Sequence, residues 1–163
     1  MVFQGEVLPI GALLERAQTA PAYQPGDGVG LRHTAADNAA RCAVLLAGGE
    51  APEACWRFGI LQTLDDYTST QRRGGTALAA QVFSAVPAPT GSAQVDAAFA
   101  ALADYLAQRD GWAAPAWAMD PARRTNGWYP SVPGIFREEA LEASPSAFRD
   151  RGILITGRSL ERA

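Results

Sequence analysis

Along most of this chain apolar side chains recur at spacings of three and four, the period of a helix with one buried face. Pro9 leads into Ile10, Leu13, Leu14 and Ala17, a short amphipathic helix that stops before Pro21. Residues 20–30 are dense in proline and glycine and form a loop between that helix and the body. Thr34, followed three residues later by Asp37, resembles a capping box with Asp in place of Glu. It opens a second helix through Ala39, Cys42, Ala43 and Leu46, stopped by Gly48 and Gly49. Pro52 and Glu53 suit the first turn of a third helix, with Trp56, Ile60, Leu61 and Leu64 on one face. Residues 68–75 are expected to break it. Leu78 and Val82, with Val86 at the margin, mark a fourth helix ending at Pro87.

The clearest periodicity comes next. Ser92 caps a helix in which Val95, Phe99, Leu102 and Leu106 recur at i, i+4, i+7 and i+11, with Asp96 and Asp104 on its polar side and Gly111 closing it. Beyond Gly111 the period is lost. Trp112, Trp117 and Trp128 fall among Pro115, Pro121, Pro130 and Pro133, and short helices are expected at 121–125, 134–143 and 145–150, the last capped by Ser144 with Pro145 in its first turn. Ile153, Leu154 and Ile155 are the one strongly β-like run, either a short strand that needs a partner or an extended buried tail. The pattern predicts an all-α fold: a compact multi-helix bundle with a Trp/Pro-rich C-terminal segment of short helices and room for one short strand. Residues 1–30 form an N-terminal helix and loop, and 31–163 the helical domain.

Composition adds to this picture in three places. Alanine dominates, which favours helix, and 48% apolar against 19% charged residues is globular rather than disordered. All 14 basic residues are arginine, and the net charge is −3, with −5 over residues 1–120 and +2 over 121–163. An acidic body argues against a general nucleic-acid coat and against binding to anionic membranes. Cys42 and Cys55 lie in alanine-rich helical text and are expected as buried thiols of a reducing compartment. Met1 to Ile10 lacks the basic and apolar regions of a signal peptide, and no stretch reaches membrane-span length, so the cytoplasm is the expected location.

Candidate chemistry is sparse. The only histidine, His33, has no cysteine or carboxylate at ligand spacing, which disfavours a triad or a zinc site. Asp65–Asp66 and Glu138–Glu139 are neighbours on helices, about 100° apart, and cannot flank one atom. Gly26, Gly28 and Gly30 follow no strand and precede no Gly-Lys-Ser/Thr, so a phosphate loop is not indicated. No cofactor and no metal is expected, and the chain reads as non-enzymatic. The segment carrying Trp56 to Leu64 has the length of a recognition helix, but it holds Arg57 alone among acids, and phosphate contacts need cations. Arg72–Arg73, Arg123–Arg124 and Arg149/Arg151 are the better cationic clusters. The three clustered tryptophans fit two roles: a lid whose indoles fill gaps against the 93–109 helix, or a partner surface, since Trp and Arg dominate interface hot spots.

A group of residues taken together resembles a known family. It comprises Pro89-Thr90-Gly91, Asp96-Ala97-Ala98, Tyr105-Leu106-Ala107, Pro115-Ala116-Trp117, Arg123 or Arg124, and Trp128-Tyr129-Pro130. It continues through Ala140-Leu141, Ser144-Pro145-Ser146-Ala147-Phe148-Arg149, Arg151-Gly152-Ile153 and the closing Leu160-Glu161-Arg162-Ala163. The set is similar to a group of small helical actinobacterial-type proteins that also occur behind helix-turn-helix domains, and the likeness spans residues 50–163, with 8–49 matching in outline. Members are often encoded beside nucleotidyltransferase-like toxins. The resemblance implies an antitoxin-like, cytoplasmic regulator that binds a partner protein, with no catalytic residues to carry over. The expected contact residues are Trp117, Arg123, Arg124, Trp128, Arg149 and Arg151. The alternative is a DNA-binding transcriptional regulator using an arginine-lined face, although this chain has no clear N-terminal helix-turn-helix. No membrane partner is expected, and self-association into a homo-oligomer stays open.

Overall fold

The structure is a computed structural model and describes residues 9–12 and 30–161. The chain divides into two compact units, Met1–Gly30 and Leu31–Ala163. In the first, residues 10–12 are helical; the rest of the expected N-terminal helix and the glycines before Gly30 lie outside the described residues. Everything below concerns the second unit, which is all-α.

Helix α1 spans Ala35–Ala47 and starts at the expected box: Thr34 N–H donates to the Asp37 carboxylate (2.8 Å), and Asp37 N–H donates to Thr34 Oγ1 (3.2 Å). Helix α2, Pro52–Cys55, runs directly into a π-helical stretch, Trp56–Ile60, and then into α3, Leu61–Ala80. The π stretch is closed by Leu61 N–H on the Trp56 carbonyl. It turns Trp56, Gly59 and Ile60 inward and leaves Arg57 and Phe58 outside. Gly59 is required there, since a Cβ would fall on Cys42 Sγ of α1.

The break expected over residues 68–75 is confined to one residue, Gly75 (φ 80°, ψ 175°). The threonines before it do not terminate the helix, because Thr63 and Thr70 return their hydroxyls to the carbonyls of Gly59 (2.8 Å) and Asp66 (2.7 Å). A 3₁₀ turn, Gln81–Phe83, ends the run before Pro87, and Val86 is exposed.

Helix α4, Ala93–Asp110, is the axis of the unit. Ser92 Oγ accepts from Val95 N–H (3.4 Å), and Gly111, in the left-handed region at φ 75°, closes the other end on the Ala107 carbonyl (2.9 Å). The expected stripe of Val95, Phe99, Leu102 and Leu106 is buried, but so are Ala97, Ala98, Ala100, Ala101 and Ala103 on the other faces. A helix apolar all round is a core helix rather than a surface one, and small side chains let neighbours approach its backbone from every side. Each large apolar side chain sealed there contributes about 1.5–3 kcal/mol. The polar side expected for Asp96 and Asp104 is not a solvated face. Asp96 accepts from Thr90 N–H (2.9 Å) and Thr90 Oγ1 (2.8 Å), and Asp104 is buried against Arg151.

The C-terminal segment wraps this axis in short pieces: 3₁₀ turns Ala116–Met119 and Gly134–Phe136, α5 (Arg137–Ala143), α6 (Ser146–Arg149) and a 3₁₀ turn Gly157–Leu160. The helix expected at 121–125 is absent; Asp120 instead organises an Asx-type turn, its carboxylate accepting from Ala122 N–H (2.9 Å) and its carbonyl from Arg123 N–H (3.0 Å). Ser144 does not cap α6. Its hydroxyl accepts from Ile155 N–H (2.7 Å) and donates to the Ala140 carbonyl (2.6 Å), pinning the tail to α5. Of the two fates open to Ile153, Leu154 and Ile155, the structure shows the extended buried tail. It carries one parallel bridge between Trp128 and Ile153 within the chain, closed by Trp128 N–H on Gly152 (2.9 Å) and Leu154 N–H on Trp128 (2.8 Å). Gly152 is fixed by that crossing, since its φ is 76° and a Cβ would strike the Thr125 carbonyl.

Candidate functional site

The six expected contact residues do not share one situation. Trp117, Trp128 and Arg151 are buried in the chain's own core. Trp117 Nε1–H donates to the Phe83 carbonyl (2.9 Å). The Trp128 ring meets Trp56 edge-on at 5.9 Å, and its Nε1–H donates to Glu53 Oε1 (3.1 Å). Arg151 Nη1 donates to Asp104 Oδ2 (2.8 Å) and the Ala147 carbonyl (2.7 Å), while Nη2 donates to the Ala118 carbonyl (2.7 Å). Arg123 is half-buried, lies over the Trp117 ring at 5.1 Å and donates to the Pro87 carbonyl (2.7 Å). Arg124 and Arg149 are exposed. In the second unit the tryptophan-rich segment is therefore a lid, the first of the two roles its composition allows, and its arginines divide between lid anchors and surface.

A different surface stands out. Three concavities of about 600, 630 and 260 Å³ follow one another along it. The first lies between α1 and the π stretch, with Val44, Leu45 and Phe58 around it and Arg41 at its margin. Phe58 and Gln62 also line the second, which reaches Arg57, Ser131 and Arg158; Ser131, Arg158 and Ser159 then wall the third beside Phe136. Val44 is 72% exposed and Phe58 55%, large apolar side chains held in water next to a concave apolar floor.

Two backbone irregularities border this trough. Phe58 sits on the π stretch, a rare geometry that is frequent at functional sites. Ser131, with φ 52°, is the one non-glycine among the described residues in the left-handed region, at a cost of roughly 1–2 kcal/mol. It follows Pro130 in a turn closed by Val132 N–H on the Tyr129 carbonyl (3.5 Å), a position that glycine usually takes.

The charges on this surface are Arg41, Arg57 and Arg158, with Glu161 and Glu139 on the walls of the second and third concavities. Arg57 lies over the Phe58 ring at 5.4 Å, and Arg41 donates to His33 Nδ1 (3.3 Å), which accounts for the lone histidine. The ion pairs between described residues are Arg109–Asp110 and Arg151–Asp104; Arg57 and Arg158 are exposed with no described carboxylate in salt-bridge range, and Arg41 helps to lower Asp37 through space. Compared with protein families, with curated proteins and with solved structures, the chain has no match.

Cys42, Cys55 and Tyr67 are held in structural settings. Cys42 and Cys55 are buried free thiols, each sulfur near the other's carbonyl (3.9 and 3.7 Å). Burial, and then the neighbouring cysteine, pushes the Cys42 thiol far above its ordinary 9.0; burial raises Cys55 too. Such thiols are poor nucleophiles. Tyr67 donates to Asp110 (2.6 Å) and accepts from Trp112 Nε1–H (3.0 Å); burial first, and the bond to Asp110 second, push it up to about 12. No group of three His, Cys, Asp or Glu able to hold a metal occurs among the described residues, and no described helix is long and apolar enough to cross a membrane.

Sequence reasoning passed over Val44, Phe58 and Arg158, and weighed Arg57 only as a phosphate contact. A signal for two of them was present. Val44 and Phe58 are large apolar residues that fall off the buried stripes of their own helices, and an apolar residue on the polar side of a clear stripe is the residue to ask about.

Proposed function

We propose that this protein is a non-enzymatic regulator that works by binding another protein, and that the docking face is the apolar concavity between α1 and the π stretch. The observation that carries this is the exposure of Val44 and Phe58 side by side over a floor containing Leu45, with Arg41 at the rim. An aromatic anchor, aliphatic neighbours and an arginine make the composition of an interface core and its edge. The family resemblance supplies the specific form of the proposal, an antitoxin-like protein whose partner is a nucleotidyltransferase-like toxin.

The test is capture from lysate of the source organism by tagged wild type and by Phe58→Asp, read by mass spectrometry. Wild type is expected to retain a stoichiometric nucleotidyltransferase-like protein, and Phe58→Asp to lose it at unchanged helicity, since the ring is already half in water. Capture that is equal in both proteins removes the docking face. No protein above background with wild type removes the partner-binding reading itself.

A further inference from the structure

The middle concavity of the trough has a chemistry that apolar docking does not use. It measures about 630 Å³, within the ordinary range for a small-molecule site. Its floor is aromatic and aliphatic, from Trp56, Phe58 and Leu61. Its polar groups converge from segments distant in sequence: Arg57 from the π stretch, Ser131 from the left-handed turn and Arg158 from the 3₁₀ turn Gly157–Leu160.

Neither guanidinium has a carboxylate partner among the described residues, and the Ser131 side chain is exposed. The other polar side chains are engaged: Ser159 with Thr156 (3.1 Å), and Gln62 with Asp66 (3.2 Å). Glu161 is the single carboxylate on the wall, against two arginines, in a chain whose net charge is −3. Two guanidiniums without a carboxylate, one of them already against the Phe58 ring, beside an aromatic lining are the complement of one ligand type. Arginine forks match carboxylate, phosphate and sulfonate oxygens, and the rings take an apolar body.

We infer that this concavity binds a small amphipathic anion, an aryl or acyl body bearing one carboxylate, phosphate or sulfonate, with Arg57 and Arg158 on the anionic group, Ser131 donating to it, and Phe58 against the body. The site shares Phe58 with the docking face but stands on different residues, so it does not rest on the partner reading.

The probe pair is 8-anilinonaphthalene-1-sulfonate and its uncharged relative N-phenyl-1-naphthylamine, titrated by dye fluorescence into the full chain. The charged dye is expected to bind about ten-fold tighter or more, the size of one charge-assisted hydrogen bond, and to weaken as sodium chloride is raised. The double variant Arg57→Gln, Arg158→Gln, with far-UV circular dichroism as the folding control, is expected to erase the difference while leaving the neutral dye unaffected. Phe58 is untouched in that variant, so loss of the anion site is separable from loss of the docking face. Equal binding of the two dyes, a preference that survives the double variant, or no dye binding at all would each overturn the inference.

Discussion

Residues 35–110 and residues 112–160 are stabilised by different means. In the first region the main chain pairs with itself in α1 to α4, and side chains pack along helical stripes. In the second the helices are short, and many carbonyls have no helical partner. Side chains of the second region meet open carbonyls of both: Phe83 and Pro87 of the first by Trp117 and Arg123, Ala118 and Ala147 of the second by Arg151. Tryptophan and arginine donate without accepting, and each carries its donors at the end of a large, packable body. A lid that must satisfy carbonyls left open on both sides of its seam therefore selects the residues that also mark interfaces, and composition alone does not separate the two uses.

The sharpest way to break this comparison is Arg151→Ala. It takes the cation from the buried Asp104 carboxylate, which keeps only Gln108 (2.9 Å), strands two carbonyls in the core, and is expected to cost about 3–5 kcal/mol, read as a fall in the urea midpoint. Arg149→Ala, two residues away and exposed, is expected to stay within about 0.5 kcal/mol. The joint replacement Asp104→Leu, Arg151→Met removes both charges and is expected to recover much of the loss. A cost at Arg151 as small as the one expected at Arg149 would mean that Arg151 behaves as surface after all.

How much of this was legible in the sequence follows the same division. The cap at Thr34 and Asp37, the stripe from Val95 to Leu106 and the closing Gly111 depend on neighbours within a few residues, and the structure has them where local rules put them. The burial of α4 on every side over residues 97–104 was not legible, because alanine is as common on exposed helix as in a tight core and only the large residues draw a stripe. Ser144 looks like a cap locally and is taken by Ile155, eleven residues on. Arg151 looks like surface until Asp104 is brought beside it from α4. The trough was hidden for a further reason: Arg57 and Arg158 are a hundred residues apart and nothing local connects them.

A smaller change asks whether the indoles of the lid act as donors or only as bulk. Trp128→Phe keeps an aromatic ring against Trp56 and removes the Nε1–H that meets Glu53. The expected loss is about 1–2 kcal/mol, one hydrogen bond to a charged acceptor plus some packing. Glu53→Gln keeps an acceptor and is expected to cost less than the tryptophan change. A loss at Trp128 that Glu53→Gln fully reproduces would assign the effect to the carboxylate charge rather than to the ring.

The smallest effect lies where the two regions meet. Asp110 ends α4 and takes a two-toothed contact from Arg109 (2.8 and 2.7 Å), the Tyr67 hydroxyl from α3 (2.6 Å) and Gln71 Nε2–H (3.2 Å), while Tyr67 receives Trp112 from the lid. The Arg109 bonds first, and then the Tyr67 hydroxyl, hold its carboxyl down to about 2 from 3.8. A carboxyl whose folded value is depressed stabilises the fold above the unfolded value and stops doing so as pH falls through the folded one. The contribution is therefore complete above about pH 4 and fades between about 4 and 2. With Arg109 40% exposed, solvent screens the pair, and less than about 1 kcal/mol is expected from it. Urea midpoints at pH 2, 3, 4 and 6 for wild type and Asp110→Asn measure the window. The two curves are expected to separate above pH 4 and converge at pH 2. Parallel curves would place the seam's stability in the packing of Tyr67, Phe83 and Trp112 rather than in the carboxylate that gathers them.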